Sequence, residues 1–522
     1  MTALESLIFP SSAEQTSLSH LFTDLKRANL SIHNRLRSIL QDAEFVREVA
    51  SRRRPLVANE RCGSWYVRPA EKTASAYFKS TDGHTSAWKF STRRLNLHLL
   101  ELVGQCDGCI IVDSTRRGKR MPDALSKTIP IWCAVLNRAL FPDHPNPTEA
   151  HALFTPPQAV SPTEHAQIEA LLPSFLASLR ALDLDLPALR SRITKPLRPV
   201  WVTPDSDLSH RIEQHKRDEN EDGDGRPVVV FEDFHPIICC TASRRVSGGE
   251  LTTISSGRRR GEWPAQGDSF VYVQGAGDDT ENWAHGLTAD LFWAHKDILL
   301  STPESELPAL VTRLVETSRL QGVPLLHDSS GIHNPQPKVV VPGVVAVCSL
   351  AMLDAMDEAS KNGTGKEGGG STSDGGNANC RILLTPGVTG RETWIKSPQE
   401  MQVGLGRHKV ASRNLRTALP DICSFVSRYL QDLDNDDRRG GAGRHVVLIA
   451  CETGKDLSVA AALAVSMWCF DSETATRGAG GKPIFTKDMV KVKLGRIMTA
   501  YPEANPGRSS LQSVNSFLMD YR

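Results

Sequence analysis

The sequence has no apolar run long enough to span a membrane, no surplus of charge and few aromatic residues, and each shortage removes a class of protein. Its most apolar stretch, 339–353, is broken by Pro342 and Gly343 and falls short of a span. Residues 1–10 lack the basic segment and apolar run of a secretory leader. A cytoplasmic protein is therefore expected. The 61 Lys and Arg against 60 Asp and Glu exclude an acidic tail or a uniformly basic chain. Aromatics make up 6%, but 40% hydrophobic and 23% charged residues over 522 positions suit a globular chain of two or three domains. The 11 cysteines are odd in number and scattered, as reduced thiols would be. Cys106 and Cys109 form a CxxC without a second pair at ligand spacing, which suits strand-edge packing better than zinc.

Charge is present, but unevenly. Residues 26–138 hold 21 Lys and Arg against 10 Asp and Glu, so this region is suited to a polyanion. Helical spacing over 31–50 predicts an amphipathic helix. Strands are expected at 65–67, 76–78, 109–113, 227–231, 236–241 and 270–274, with helical sequence over 164–192 and a polar surface loop at 213–225. These make a mixed α/β domain over 1–334. A second domain is expected over 335–522, because strand patterns at 338–350 and 381–384 flank a Gly/Ser-rich insertion at 361–379.

The strongest chemical signal lies in that second domain. A strand at 445–450, a loop at 451–458 and an apolar helix at 459–468 would aim backbone N–H groups and a helix dipole at a phosphate. Lys455 would supply a counter-charge. A second constellation, 274–279, ends in Asp278 and Asp279, which could bind Mg²⁺ or orient a hydroxyl, although Asp in a turn is more often an Asx cap. In the basic region, Arg61, Trp65, Tyr66, Lys79, Trp88, Phe90, Arg93 and Arg94 mix cations, aromatics and hydroxyl neighbours, as RNA read by shape and 2′-hydroxyl requires. The alternative is that Trp65, Trp88 and Phe90 are core.

The 451–458 loop resembles that of the cysteine-dependent phosphatases of the dual-specificity class: His-Cys, two residues, Gly, two residues, Arg, then Ser or Thr. Cys451, Gly454 and Ser458 fit, while Ala450 replaces the His and Leu457 the phosphate-clamping Arg. Across nearly the whole chain, stretches 61–66, 77–96, 108–127, 231–236, 274–279, 283–287, 451–458 and 501–508 resemble the fungal and plant tRNA A64 2′-O-ribosylphosphate transferase family, the initiator tRNA phosphoribosyltransferases. The resemblance implies an N-terminal mixed α/β tRNA-binding domain and a C-terminal dual-specificity-phosphatase-like α/β domain. It implies phosphoribosyl pyrophosphate as co-substrate; Mg²⁺ is a candidate companion ion, and whether the reaction requires it is left open by the sequence. The implied acceptor is the 2′-hydroxyl of nucleotide 64 in the T-stem of initiator methionine tRNA, which modification keeps out of elongation. No obligate protein partner is evident.

On that resemblance Lys79, Arg93, Arg94, Arg116, Arg117, Lys119, Arg120 and Lys127 are expected on tRNA phosphates. Cys451, Glu452, Thr453, Gly454, Lys455, Asp456, Leu457 and Ser458 are expected around a donor phosphate, and Asp456 is expected to orient the 2′-hydroxyl, with Asp278 and Asp279 as alternatives. Attack at the anomeric carbon needs no cysteine nucleophile at phosphorus, so Cys451 is expected to be structural. The run 228–233 begins like the donor motif of ordinary phosphoribosyltransferases, but Phe234, His235 and Pro236 do not continue it.

Overall fold

The computed structural model describes residues 30–50, 54–79, 88–116, 118–206, 231–246, 253–255, 269–320, 337–341, 344–362, 380–437, 447–470, 485–501 and 503–520. The loop expected at 213–225, most of the strand expected at 227–231, Arg117 and the insertion from 363 to 379 lie outside them. Two compact units form: 1–90 with 99–176 and 186–329, and 91–98 with 177–185 and 330–522. Both are mixed α/β, as expected. Among the described residues, no helix is long and apolar enough to cross a membrane.

The first unit is built on a five-stranded parallel sheet of β1 (Leu56–Asn59), β2 (Lys72–Ala76), β3 (Cys109–Asp113), β4 (Leu197–Val202) and β5 (His235–Thr241), in the order β2-β1-β3-β5-β4. Its central strands are apolar runs because a parallel sheet is covered on both faces. Helix α1 (Ile32–Ala50) buries Ile32, Leu36, Ile39, Ala43, Val46 and Val49, the stripe its spacing predicts. These join Trp65, Trp283 and Phe292 in one core. Helix α2 (Ile129–Leu140) is buried along most of its length, and its Asn137 pins β4 through both backbone groups of Leu197.

Three strand expectations are corrected. Residues 65–67 are not a strand: Gly63–Trp65 is a 3₁₀ turn, and Trp65 packs on Trp283 and Phe292 at 5.4 and 6.0 Å. A short aromatic run can be buried without pairing in a sheet, and periodicity does not separate the two. Strand β2 stops at Ala76 because the Asn59 side chain takes both backbone groups of Phe78, accepting at 2.8 Å and donating at 2.9 Å. The strand expected at 270–274 is the short β7 (Ser269–Val271), which pairs with β6 (Thr253–Ser255) in a separate ribbon.

The second unit has a six-stranded sheet of β8 (Lys338–Val341), β9 (Val345–Ser349), β10 (Cys380–Thr385), β11 (Ile395–Ser397), β12 (Glu400–Gly404) and β13 (Val447–Cys451), ordered β11-β12-β10-β13-β9-β8. The four inner strands are parallel and both edges antiparallel. Helices α3 (His408–Asp437), α4 (Leu457–Trp468), α5 (Lys487–Ala500) and α6 (Arg508–Asp520) belong to this unit, as does a helix over Leu350–Asn362. Every residue of α4 from Ser458 to Met467 is buried, as a helix apolar on all sides must be.

Candidate active site

In the first unit, adjacent strands end in polar residues that lie side by side. Asp113 of β3 is in register with Thr241 of β5, and Asn59, one step past the last β1–β3 pair, donates to Asp113 Oδ2 at 2.8 Å. All three side chains are buried. The chain passes from β1 to β2 on one side and then to β3 on the other, so the strand order reverses between β1 and β3. In open α/β sheets this reversal opens a crevice at the carboxyl ends of the strands.

One guanidinium organises the crevice. Arg61 donates from Nη1 to Asp278 Oδ1 at 2.7 Å, from Nη2 to Asp113 Oδ1 at 3.1 Å, from Nε to Asp113 Oδ2 at 3.3 Å, and to the Ser114 carbonyl. The Cys62 thiol also reaches Asp113 Oδ1, at 3.0 Å. Burial first, then the charges of Asp113 and Asp278, pushes that thiol well above its usual range and keeps it neutral. Burial works against the charge of Arg61, but its anionic surroundings outweigh burial and raise its pKa. For Asp278, burial raises, Arg61 lowers and Asp113 raises, and the result is pushed up to about 6.

The turn carrying Asp278 is locked onto the loop that follows β3. Gln274 Nε2 donates to the Lys119 carbonyl at 2.7 Å, and Gly275 lies so close that a Cβ there would meet Thr115 O at 2.7 Å. Arg35 of α1 holds the Ala276 and Asp278 carbonyls at 2.8 and 3.1 Å, and Gly277 N donates to Tyr66 Oη at 2.8 Å. Asp278 and Asp279 are not a carboxylate pair. Asp278 is buried against Arg61, whereas Asp279 is exposed at φ 51° at the start of a short helix. Adjacent residues in such a turn point apart. Among the described residues, the buried hydroxyls of Thr115 and Thr241 have no hydrogen-bond partner.

The 451–458 loop, in the second unit, is closed by its own groups. Gly454 N donates to Cys451 O at 3.3 Å and Lys455 N to Thr453 Oγ1 at 3.2 Å, so these two amides already have partners. Lys455 Nζ pairs with Glu503 at 3.0 Å, Asp456 Oδ1 accepts from Gly507 N at 2.8 Å, and Glu452 stands 3.8 Å from Arg407. Cys451 is buried with Sγ 3.2 Å from Ser458 Oγ, and Leu457 is the first residue of α4. Gly454 adopts φ 69° where a Cβ would meet Ser349 N at 2.7 Å, so the glycine is required by packing. Glu452, Asp456 and Glu503 place carboxylates around the loop, which disfavours a phosphate dianion.

The expected tRNA contacts separate. Lys79, Arg116 and Arg120 are exposed, and Lys119 lies 3.6 Å from Asp123. Lys127 binds Glu164 at 2.7 Å and Asp123 at 3.4 Å; burial opposes its charge, but these partners outweigh burial and raise its pKa. Arg93 and Arg94 belong to the second unit, where they donate to the carbonyls of Pro506 and Ala504 at 2.9 and 3.1 Å. Among the described residues no group of three or more His, Cys, Asp or Glu could hold a metal. Arg61 takes the place between Asp113 and Asp278 that a cation would need, so this donor set does not fit a resident Mg²⁺.

Sequence reasoning did not single out Asn59, Asp113 or Thr241 as site residues, and it read Arg61 as an RNA-contacting cation, whereas the structure sets it between Asp113 and Asp278. The signal was available: each apolar strand ends in, or is followed within two residues by, a polar side chain.

The family model of the Rit1 N-terminal domain matches residues 25–316, just over half of the chain, and that of the Rit1 DUSP-like domain matches residues 399–518. The tRNA A64-2′-O-ribosylphosphate transferase of Saccharomyces cerevisiae is 32% identical over 535 residues, 96% of this chain and 95% of that protein. The chain belongs to the Rit1 family. An uncharacterized Schizosaccharomyces pombe protein is 44% identical over 306 residues, covering 58% of this Rit1 chain and 59% of that protein. Among solved structures, human DUSP28 is 14% identical over 35% of this chain and 93% of its own, with a TM-score of 0.21. The arginine crevice, the loop after β3 and the 274–279 turn all lie inside the matched Rit1 N-terminal domain.

Proposed function

We propose that the chain transfers a 5-phosphoribosyl group from phosphoribosyl pyrophosphate to the 2′-hydroxyl of nucleotide 64 in the T-stem of cytoplasmic initiator methionine tRNA. The observation that carries this reading is the relationship along nearly the full length of both chains to a ribosylphosphate transferase. The chemistry of the chain supports it. The exposed cations Lys79, Arg116 and Arg120 suit the acceptor's phosphates. A helical T-stem presents its 2′-hydroxyls along the shallow minor groove, where a protein can select one ribose by shape. The test is incubation with donor labelled in its ribose and unmodified initiator tRNA, with elongator methionine tRNA as control. Label should appear in the initiator alone; tRNA binding without label would overturn the reading in favour of a binding-only role.

A second reading, a cysteine-dependent hydrolase, draws on the contact between Cys451 and Ser458. With Leu457 in the position of the clamping Arg and Lys455 paired to Glu503, the loop offers no guanidinium to a transferring phosphoryl group. A generic aryl phosphate should not be turned over above background. Turnover that disappears in Cys451→Ser would support the hydrolase instead.

A further inference from the structure

We infer that the transfer takes place at the carboxyl edge of the first unit's parallel sheet, with Asp278 as general base, Arg61 as its positioning residue and Thr115 and Thr241 as donor-binding hydroxyls. This rests on the transferase reading and gives that reaction a place and a base, away from the 451–458 loop.

In the step, the acceptor 2′-oxygen bonds to the donor's anomeric carbon as the bond from that carbon to the pyrophosphate oxygen breaks. Pyrophosphate leaves with the electron pair, and the hydroxyl proton passes to the Asp278 carboxylate. The step requires a base that is ionised near neutrality, held in place and largely out of water. Asp278 meets these conditions, with its side chain 10% exposed and one oxygen fixed by Arg61 at 2.7 Å, while Arg61 itself is 26% exposed and marks the open side.

The donor needs hydrogen-bond partners of its own. A buried hydroxyl is almost always paired, because leaving it unmade is costly. Thr115 and Thr241 break that rule in one place, Thr241 in register with Asp113 and Thr115 two residues beyond it. Oxygens of a bound phosphoribosyl group would satisfy both. In the 451–458 loop, by contrast, the Lys455 amine and the Asp456 carboxylate already have partners.

The groups facing Asp278 are Arg61, Cys62, Asp113 and Tyr66, with Arg35 and Trp283 on its backbone carbonyl, while Asp279 points away and acts on it only through its charge. Burial, the largest influence, with Asp113 and Asp279 raises its pKa and Arg61 lowers it, to about 6. Below that pH the carboxyl is protonated and cannot accept the proton; above it, it can.

The experiment measures labelled transfer by the full chain from about pH 5 to 8. Wild-type kcat/KM should rise through a midpoint near 6 and then level off. Asp278→Asn should lower kcat about 100-fold or more and abolish that rise, with tRNA Kd little changed. Thr241→Val, which keeps shape and removes an unpaired hydroxyl, should raise the donor KM about tenfold without lowering Tm. No label with wild type defeats the transferase reading itself. If wild type labels tRNA while Asp278→Asn keeps its rate and Asp456→Asn loses it, the transferase stands and the inferred location falls. If Asp278→Asn does not fold, an unchanged donor KM in Thr241→Val overturns the inference by itself.

Discussion

Arg61→Ala is expected to abolish transfer and to lower Tm by about 6–10 °C. Its guanidinium spans Asp113, which is wholly buried, and Asp278, which is nearly so, at 3.1 and 2.7 Å. Removing one partner of a buried ion pair costs about 3–5 kcal/mol, because the remaining charge stays buried without compensation. In a unit of this size each kcal/mol shifts Tm by about 2 °C. Adding Asp278→Asn to Arg61→Ala should recover part of the stability and none of the activity. Arg61→Lys should retain some transfer, with the acid limb of its pH profile moved upward, since Arg61 lowers the pKa of Asp278 and a single ammonium cannot span both carboxylates. Calorimetry and the pH profile check this, and an Arg61→Ala protein with wild-type Tm would mean that the carboxylates do not depend on this cation.

Gly275→Ala is expected to reduce transfer about 100-fold while leaving most of the fold intact. The residue sits at φ 68°, and an added Cβ would meet Thr115 O at 2.7 Å and Arg116 Cα at 2.8 Å. The left-handed backbone costs about 1–2 kcal/mol for a residue with a side chain. The clash is with backbone, so relief requires the 274–279 turn to move off the loop after β3. A displacement of about 1 Å between reacting groups can cost about 100-fold in rate. Far-ultraviolet circular dichroism should look native while kcat falls; unchanged kcat would show that the turn and the loop need not be in register for chemistry.

How much was legible in the sequence depends on the range of the interaction concerned. Helix α1, strands β3 and β13 and the all-apolar helix α4 were readable because burial against a core imposes a period of 3.6 on a helix stripe and continuous apolarity on a doubly covered strand. The chain alone also carried the family motifs, the basic bias of residues 26–138 and the missing Arg at 457. Local pattern was less informative where partners come from far along the chain. The 3₁₀ turn at Gly63–Trp65 was mistaken for a strand because its aromatics are buried by Trp283 and Phe292, more than 200 residues away.

The sequence by itself determined the class of fold, the family and the residue types available for chemistry. Only the tertiary structure decided which of them meet. Arg61 and Asp278 are 217 positions apart and lie within hydrogen-bond distance because the 274–279 turn packs on the loop after β3, at the edge where β1 and β3 end. Asp278 and Asp279, adjacent in the chain, are separated by a turn that buries one and exposes the other. Arg93 and Arg94 join the second unit through the carbonyls of Pro506 and Ala504. Desolvation and pairing depend on where other segments fold, and no spacing along the chain encodes them.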